Sequence, residues 1–234
     1  MSTSAGVLSE ELRRTAAAIV GKYPNSRSAV LPLLFLVQSV EGHVTENGMR
    51  EVAEIVGLEP AEVLATSSFY TMLKKKPQGE YLVSVCRNIA CTHRGAREIA
   101  RALEDRLGVE VGGTTGDGRF SLESAECLAT CDGAPSLQIN YEDFCNMTPD
   151  DARALIDRLE EGRETTSFRG QKVKSSKEIA REIATSGLRV PGTAGDQQER
   201  TIGGESPHAD TAPGIRPKEK GQERAPKNDE GRTK

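Results

Sequence analysis

The sequence has no tryptophan, only five phenylalanines and four tyrosines, so aromatic residues make up 4% of its 234 positions. Any core must therefore be built from aliphatic side chains, and at 36% hydrophobic residues part of the chain is not expected to pack. Long apolar runs are also missing. The longest, Ala29 to Val37, is nine residues and is interrupted by Pro32, far below the roughly 20 residues that a bilayer requires. No membrane span is expected. The first residues, Met-Ser-Thr-Ser-Ala-Gly, lack the charged and apolar regions of a signal peptide. This points to a cytoplasmic protein, where paired cysteines bind metal or do redox work more often than they form structural disulfides. A strong positive charge is absent too. Residues 1–169 carry 18 Lys and Arg against 25 Asp and Glu, and the mild acidity argues against nucleic-acid binding.

Histidine is scarce. His43 and His208 are isolated and carry no functional reading, and His93 is expected to be a surface residue. The glycine-rich stretch 112–118 has neither the Gly-Lys-Ser/Thr of a phosphate-binding loop nor the G-x-G-x-x-G order, so it reads as a turn.

What is present begins with helical periodicity. Leu8, Leu12, Ala16, Ile19 and Val20 recur at helical spacing behind Ser9 as N-cap, and Tyr23-Pro24-Asn25 ends that helix. A more apolar helix is expected from Ser28 to Val40, a third from Thr45 to Gly57, and a short fourth opened by Pro60. Residues 1–73 thus read as a four-helix domain, followed by a basic, solvated linker, Lys74 to Gly79.

From there the period changes. Tyr81 to Val85 reads as a strand delivering Cys86, residues 87–93 as a loop, Arg94 to Leu107 as a helix closed by Gly108, and Phe120 to Leu122 as a second strand. Ser136 to Asn140 and Asp143 to Met147 form the arms of a hairpin bent at Tyr141-Glu142, and Thr148-Pro149 starts a last helix that Gly162 ends. The order β-α-β-β-β-α over residues 80–162 is compatible with a thioredoxin-like sandwich, in a domain of residues 78–165. The fold class is therefore α+β. Beyond Phe168 no aromatic residue remains, and residues 170–234 are expected to be a disordered tail, with a transient helix around Ile179, Ala180 and Ile183.

Four of the five cysteines fall into two close pairs. Four residues separate Cys86 from Cys91, three separate Cys127 from Cys131, and thirty-five lie between the pairs. Two disulfides are disfavoured by compartment, and a thiol-disulfide redox pair by the departure from C-x-x-C spacing. Two soft-metal readings stay open on the residues alone. One is a structural zinc site of four thiolates in an interaction module; the other is a [2Fe–2S] centre, longer than one ion and suited to ligand pairs from two loops. Cys145 is expected to be a buried structural thiol. Backbone N–H groups of residues 87–92 and 128–134 are candidate donors to the sulfurs.

The wider pattern closely resembles the [2Fe–2S] subunit of NADH dehydrogenases, the E-subunit family of bacterial respiratory complex I. The likeness rests on the cysteine spacing followed by Asp132-Gly133-Ala134-Pro135, on Ser68-Phe69-Tyr70-Thr71-Met72, and on Thr114 to Leu122 (TTGDGRFSL), over residues 8–162. The resemblance implies a thioredoxin-like [2Fe–2S] domain behind a helical N-terminal domain, with Cys86, Cys91, Cys127 and Cys131 as ligands of one cluster. It also implies a flavoprotein partner that binds FMN and NADH, other peripheral-arm subunits of complex I, and a place on the cytoplasmic face of the plasma membrane. No hydride-transfer site is expected on this chain. Diaphorase subunits of NAD-linked hydrogenases and formate dehydrogenases share the resemblance. Phe69 and Tyr70 are expected to pack between the two domains or to meet the flavoprotein.

Overall fold

A computed structural model of the chain describes residues 6–186 and 188. It has eight α-helices and four strands among these residues. In chain order they are α1 (Glu10–Val20), α2 (Val30–Glu41), α3 (Glu46–Val56), α4 (Pro60–Phe69), β1 (Tyr81–Cys86), α5 (Ile89–His93), α6 (Ala96–Leu107), β2 (Phe120–Ala125), β3 (Leu137–Ile139), β4 (Glu142–Phe144), α7 (Pro149–Glu160) and α8 (Ser176–Thr185).

The N-terminal helices start and stop where their caps dictate. The Ser9 hydroxyl accepts the Leu12 N–H and the Thr45 hydroxyl accepts the Gly48 N–H, satisfying amides that a helix start leaves free. Gly57 and Gly108 close α3 and α6 with φ of +73° and +66°, a region that costs a side-chain-bearing residue energy. α2 begins two residues later than its periodicity suggests, after a 3₁₀ turn at Ser26–Ala29.

α2 is apolar on all sides. Val30, Leu33, Leu34, Phe35, Leu36 and Val37 are all buried, so neighbours must surround it. α1, α3 and α4 supply some of that cover and α8 supplies more, burying Ala180 and Ala184 in the same cluster of side chains.

α8 corrects the sequence reading. Composition places residues 170–186 in a disordered tail with at most a transient helix, yet 176–185 form a capped helix docked on α2. Alanines at positions i and i+4 let the two backbones approach closely. Polar contacts at the edges fix the register: Arg181 Nε donates to Ser39 Oγ at 3.0 Å and Lys177 Nζ to the Val40 carbonyl at 2.9 Å. The Ser176 N–H donates to the Glu80 carbonyl at 2.9 Å, which ties the start of α8 to the entry of β1. The remainder of the expected tail lies outside the described residues.

The sheet has strand order β2-β1-β3-β4, with β1 parallel to β2 and antiparallel to β3, and β3 antiparallel to β4. With helices packed on it, this is the thioredoxin-like architecture. Val83, Val85, Phe120, Leu122, Leu137 and Ile139 join α6 and α7 residues in a second buried cluster. We propose 1–73 and 78–165 as two domains on the strength of these separate clusters, with α8 returning to the first.

Several local readings change. The hairpin bends at Asn140-Tyr141, one residue earlier than expected, with φ of +48° and +72° as a two-residue type I′ turn requires. Asn140 also accepts the Leu82 N–H and donates to the Glu80 and Lys174 carbonyls, each at 2.8 Å. The linker is solvated at Lys75, Lys76 and Pro77, while Gly79 is buried. Lys74 is drawn in: its N–H donates to Gln38 Oε1 at 2.8 Å and its ammonium pairs with Glu123 at 2.9 Å. Phe69 and Tyr70 do not pack between the domains. Phe69 is 80% exposed and meets the Tyr70 ring edge-on at 5.1 Å.

Candidate metal centre

Two ligand-bearing segments leave the sheet at one edge. β1 and β2 are adjacent and parallel, so their C-terminal ends coincide, with Cys86 beside Ala125 in the register. The ladder continues one residue further, as the Arg87 N–H donates to the Ala125 carbonyl at 2.8 Å and Arg87 pairs with Glu126. Cys127 follows at once.

Residues 87–93, expected to be a loop, instead hold the short helix α5, capped by the Asn88 side chain, with Cys91 inside it. The helix expected from Arg94 starts at Ala96 behind Gly95. Its N-terminus is therefore further from Cys91 in the chain than the sequence implies, and Gly95 at φ +104° marks the break. His93 is exposed at the end of α5, as expected of a surface residue.

All five cysteines are free thiols. The four predicted ligands lie as two neighbouring pairs. The Cys86 thiol feels Cys91 as a neighbour, and the Cys131 thiol feels both Cys127 and the charge of Cys91. Cys86 and Cys91 are 2% and 1% exposed, while Cys127 and Cys131 are open to solvent. Burial pushes the Cys86 thiol up, and the backbone N–H groups of Asn88 and Leu128 pull it back down by donating to its sulfur. Cys131 is also raised, first by desolvation and then by the nearby Cys127. Cys86 and Cys131 therefore resist deprotonation until a cation compensates their charge. The donor set thus fits a thiophilic metal group. Among the described residues, no three His, Cys, Asp or Glu side chains converge closely enough to hold a single ion.

Backbone donors to sulfur lie where the sequence suggests. Besides Asn88 and Leu128, the Ala129 N–H donates to Cys127 Sγ at 3.4 Å from a residue with φ of +59°. The second cysteine loop is tied to the first by Arg94, whose Nε donates to the Ala134 carbonyl at 2.6 Å. Gly133 meets Cys145: a Cβ at position 133 would lie 2.5 Å from the Cys145 Cβ and 2.7 Å from its Sγ. Cys145 is half-buried rather than buried, and burial together with Asp143 and Asp132 pushes its thiol up to about 11. The glycine-rich stretch 112–118 folds back on β2, where its Gly112 and Thr115 N–H groups donate to the Leu122 and Phe120 carbonyls. Those amides are spent on the sheet, in keeping with a turn.

Sequence reasoning missed two hydroxyls. Ser136 is buried beside Cys91, and Thr130 is buried against Ser136. Both lie among residues 128–136 of the cysteine loop, but nothing in spacing or periodicity tells an inward serine from a solvated one.

The chain matches the family model of thioredoxin-like [2Fe–2S] ferredoxins over residues 16–160. It is 43% identical to the E subunit of the NADH-quinone oxidoreductase of Mycobacterium tuberculosis over 169 residues, 72% of this chain and 67% of that protein. It is 33% identical to E subunit 2 of the NADH-quinone oxidoreductase of Rhizobium meliloti over 156 residues, 67% of this chain and 93% of that protein. Among solved structures, an NAD⁺-reducing [NiFe]-hydrogenase in its H2-reduced state shares the fold, with a TM-score of 0.52 and 22% identity over 57% of this chain. The chain spans only 22% of that hydrogenase chain. With two thiol pairs at the ends of parallel strands in a thioredoxin-like sheet, the chain belongs to the thioredoxin-like [2Fe–2S] ferredoxin family, alongside the E subunits of NADH-quinone oxidoreductases.

Proposed function

We propose that Cys86, Cys91, Cys127 and Cys131 bind one [2Fe–2S] cluster, two thiolates to each iron. On this reading the chain is the electron-transfer subunit of the NADH dehydrogenase module of an NADH:quinone oxidoreductase. The observation that carries it is the pairing of the thiols, Cys86 with Cys91 and Cys127 with Cys131, in a chain whose relatives are subunits of that enzyme. When bound, the cluster would take up and return one electron at a time, exchanging it with FMN on a flavoprotein partner that also binds NADH.

The chain's own residues would hold and insulate that centre. Cys86 and Cys91 anchor it from β1 and α5, behind a screen of buried side chains, while Cys127 and Cys131 face solvent on the side open to a partner. Exposed Ile89, on α5 beside Cys91, and exposed Phe69 supply apolar surface for docking. No helix among the described residues is long and apolar enough to cross a membrane. Attachment to the cytoplasmic face of the plasma membrane would then come through the flavoprotein and the other peripheral-arm subunits.

The test is EPR of the anaerobically purified, dithionite-reduced chain, with iron, sulfide and zinc analysis. A brown protein with two irons and two sulfides per chain and an EPR signal on reduction is expected. A colourless protein holding zinc overturns the cluster reading. The partner is tested separately: NADH is expected to reduce the centre only when the flavoprotein partner is present.

A further inference from the structure

Ser136 meets both cysteines of the first pair. Its carbonyl accepts the Cys86 N–H at 3.2 Å, and its hydroxyl oxygen lies 3.5 Å from Cys91 Sγ, within reach of a hydrogen bond to sulfur. The Thr130 hydroxyl, one residue before Cys131, donates to the same Ser136 oxygen at 2.8 Å. Ser136 is 1% exposed and Thr130 is 7% exposed, so water does not compete for either group.

A hydroxyl has one hydrogen. Thr130 spends its hydrogen on Ser136, which leaves the Ser136 hydrogen free to point at Cys91. A cysteine that binds metal has lost its proton, so its sulfur can only accept. The direction is thereby fixed along the whole chain: Thr130 to Ser136 to Cys91. Adding an electron to the centre raises the negative charge on its sulfurs, and a bond donated to a sulfur strengthens as that charge grows. The first hydroxyl polarises the second, which strengthens the donated bond further.

We infer that Thr130 and Ser136 are positioning residues forming a two-hydroxyl relay, which delivers one hydrogen bond to the Cys91 sulfur and sets the reduction potential of the centre upward. This rests on the reading of the four cysteines as cluster ligands. Cys91 is a buried thiolate on that reading, and the relay is the side-chain donor the fold aims at it. The exposed pair, Cys127 and Cys131, can draw such bonds from water.

The experiment is an EPR-monitored redox titration of the full-length, cluster-loaded protein, in wild type and in Ser136→Ala, Thr130→Val, Thr130→Ser and the Thr130→Val/Ser136→Ala double variant. Iron and sulfide content is measured for each. Ser136→Ala is expected to lower the equilibrium constant for one-electron reduction about tenfold, equivalent to a fall of about 59 mV. Thr130→Val is expected to move it in the same direction by less, and Thr130→Ser to keep the wild-type value. The double variant is expected to match Ser136→Ala alone, because Thr130 acts only through Ser136. Additive shifts in the double variant, or an unchanged potential in Ser136→Ala, overturn the relay.

Should Ser136→Ala fail to assemble a cluster, resonance Raman of the wild type decides. An iron–cysteine stretching band is expected to shift in D2O and to shift less in Thr130→Val. Absence of any deuterium shift overturns the inference. A wild-type protein without iron and sulfide overturns the cluster reading itself, which separates the two failures.

Discussion

Cys86 and Cys91 share a donor atom with Cys127 and Cys131 and little else. The first two sit at the end of a strand and inside a helix, where the Thr92 and Arg94 N–H groups bond back to Asn88 and Cys91 and fix the backbone. They are buried. The second two lie on an irregular loop, exposed, with Ala129 between them in the left-handed region. The inner pair must have its charge met by the protein, because water cannot reach it; the outer pair can be solvated. The donors aimed at the inner pair, from Asn88, Leu128 and Ser136, follow that division, while the Ala129 N–H serves the outer pair.

Serine in place of each cysteine tests this division most severely. A buried serine at 86 or 91 would have to bind iron as a desolvated alkoxide, so both variants are expected to lose the centre, with iron content near background. Cys127→Ser, open to solvent, is expected to keep iron and sulfide and to show an altered EPR spectrum. Equal loss from both pairs would break the comparison.

A smaller effect is expected from Gly133→Ala, which drives a methyl into the Cys145 side chain. Overpacking of this kind costs about 1–3 kcal/mol, read as a lowered unfolding midpoint, and Cys145→Gly is expected to restore part of it. No loss of stability would show that the outer loop yields freely. The smallest effect concerns Arg94, whose positive charge near the centre favours reduction. Arg94→Glu is expected to lower the reduction potential with the cluster retained. The Nε bond to the Ala134 carbonyl adds a second consequence, loss of a tether between the pairs worth about 1 kcal/mol. Arg94→Lys keeps the charge and loses the tether, so its potential is expected to stay near wild type in the same titration. A large shift in Arg94→Lys would mean that the tether, rather than the charge, sets the potential.

Much of this site was legible in the sequence because its positioning is local. A strand ending in Cys86, a second strand feeding Cys127 and a turn after Cys131 are all readable from alternation and turn residues within a few positions. The errors fell where local signals were weak. Ile89 to His93 is a single helical turn, too short for a period to show. Phe69 and Tyr70 are apolar, and apolarity alone does not say whether a partner in the same chain exists to bury them. Thr130 and Ser136 escape notice because their orientation depends on how the loop closes over Cys91.

The sequence by itself determined the four-helix start, the switch to a sheet and the pairing of the cysteines, since caps, periodicity and spacing act over one or two turns of chain. Only the tertiary structure decided where α8 goes. By composition residues 170–186 cannot build a core of their own, and that remains true. The helix is ordered because α2, apolar all round, has a side that α1, α3 and α4 leave uncovered, and two alanines of α8 fit against it. In the same way, the parallel register of β1 and β2, a contact across some 40 residues of chain, put Cys86 beside Ala125 and so brought the two cysteine-bearing segments to one edge of the sheet.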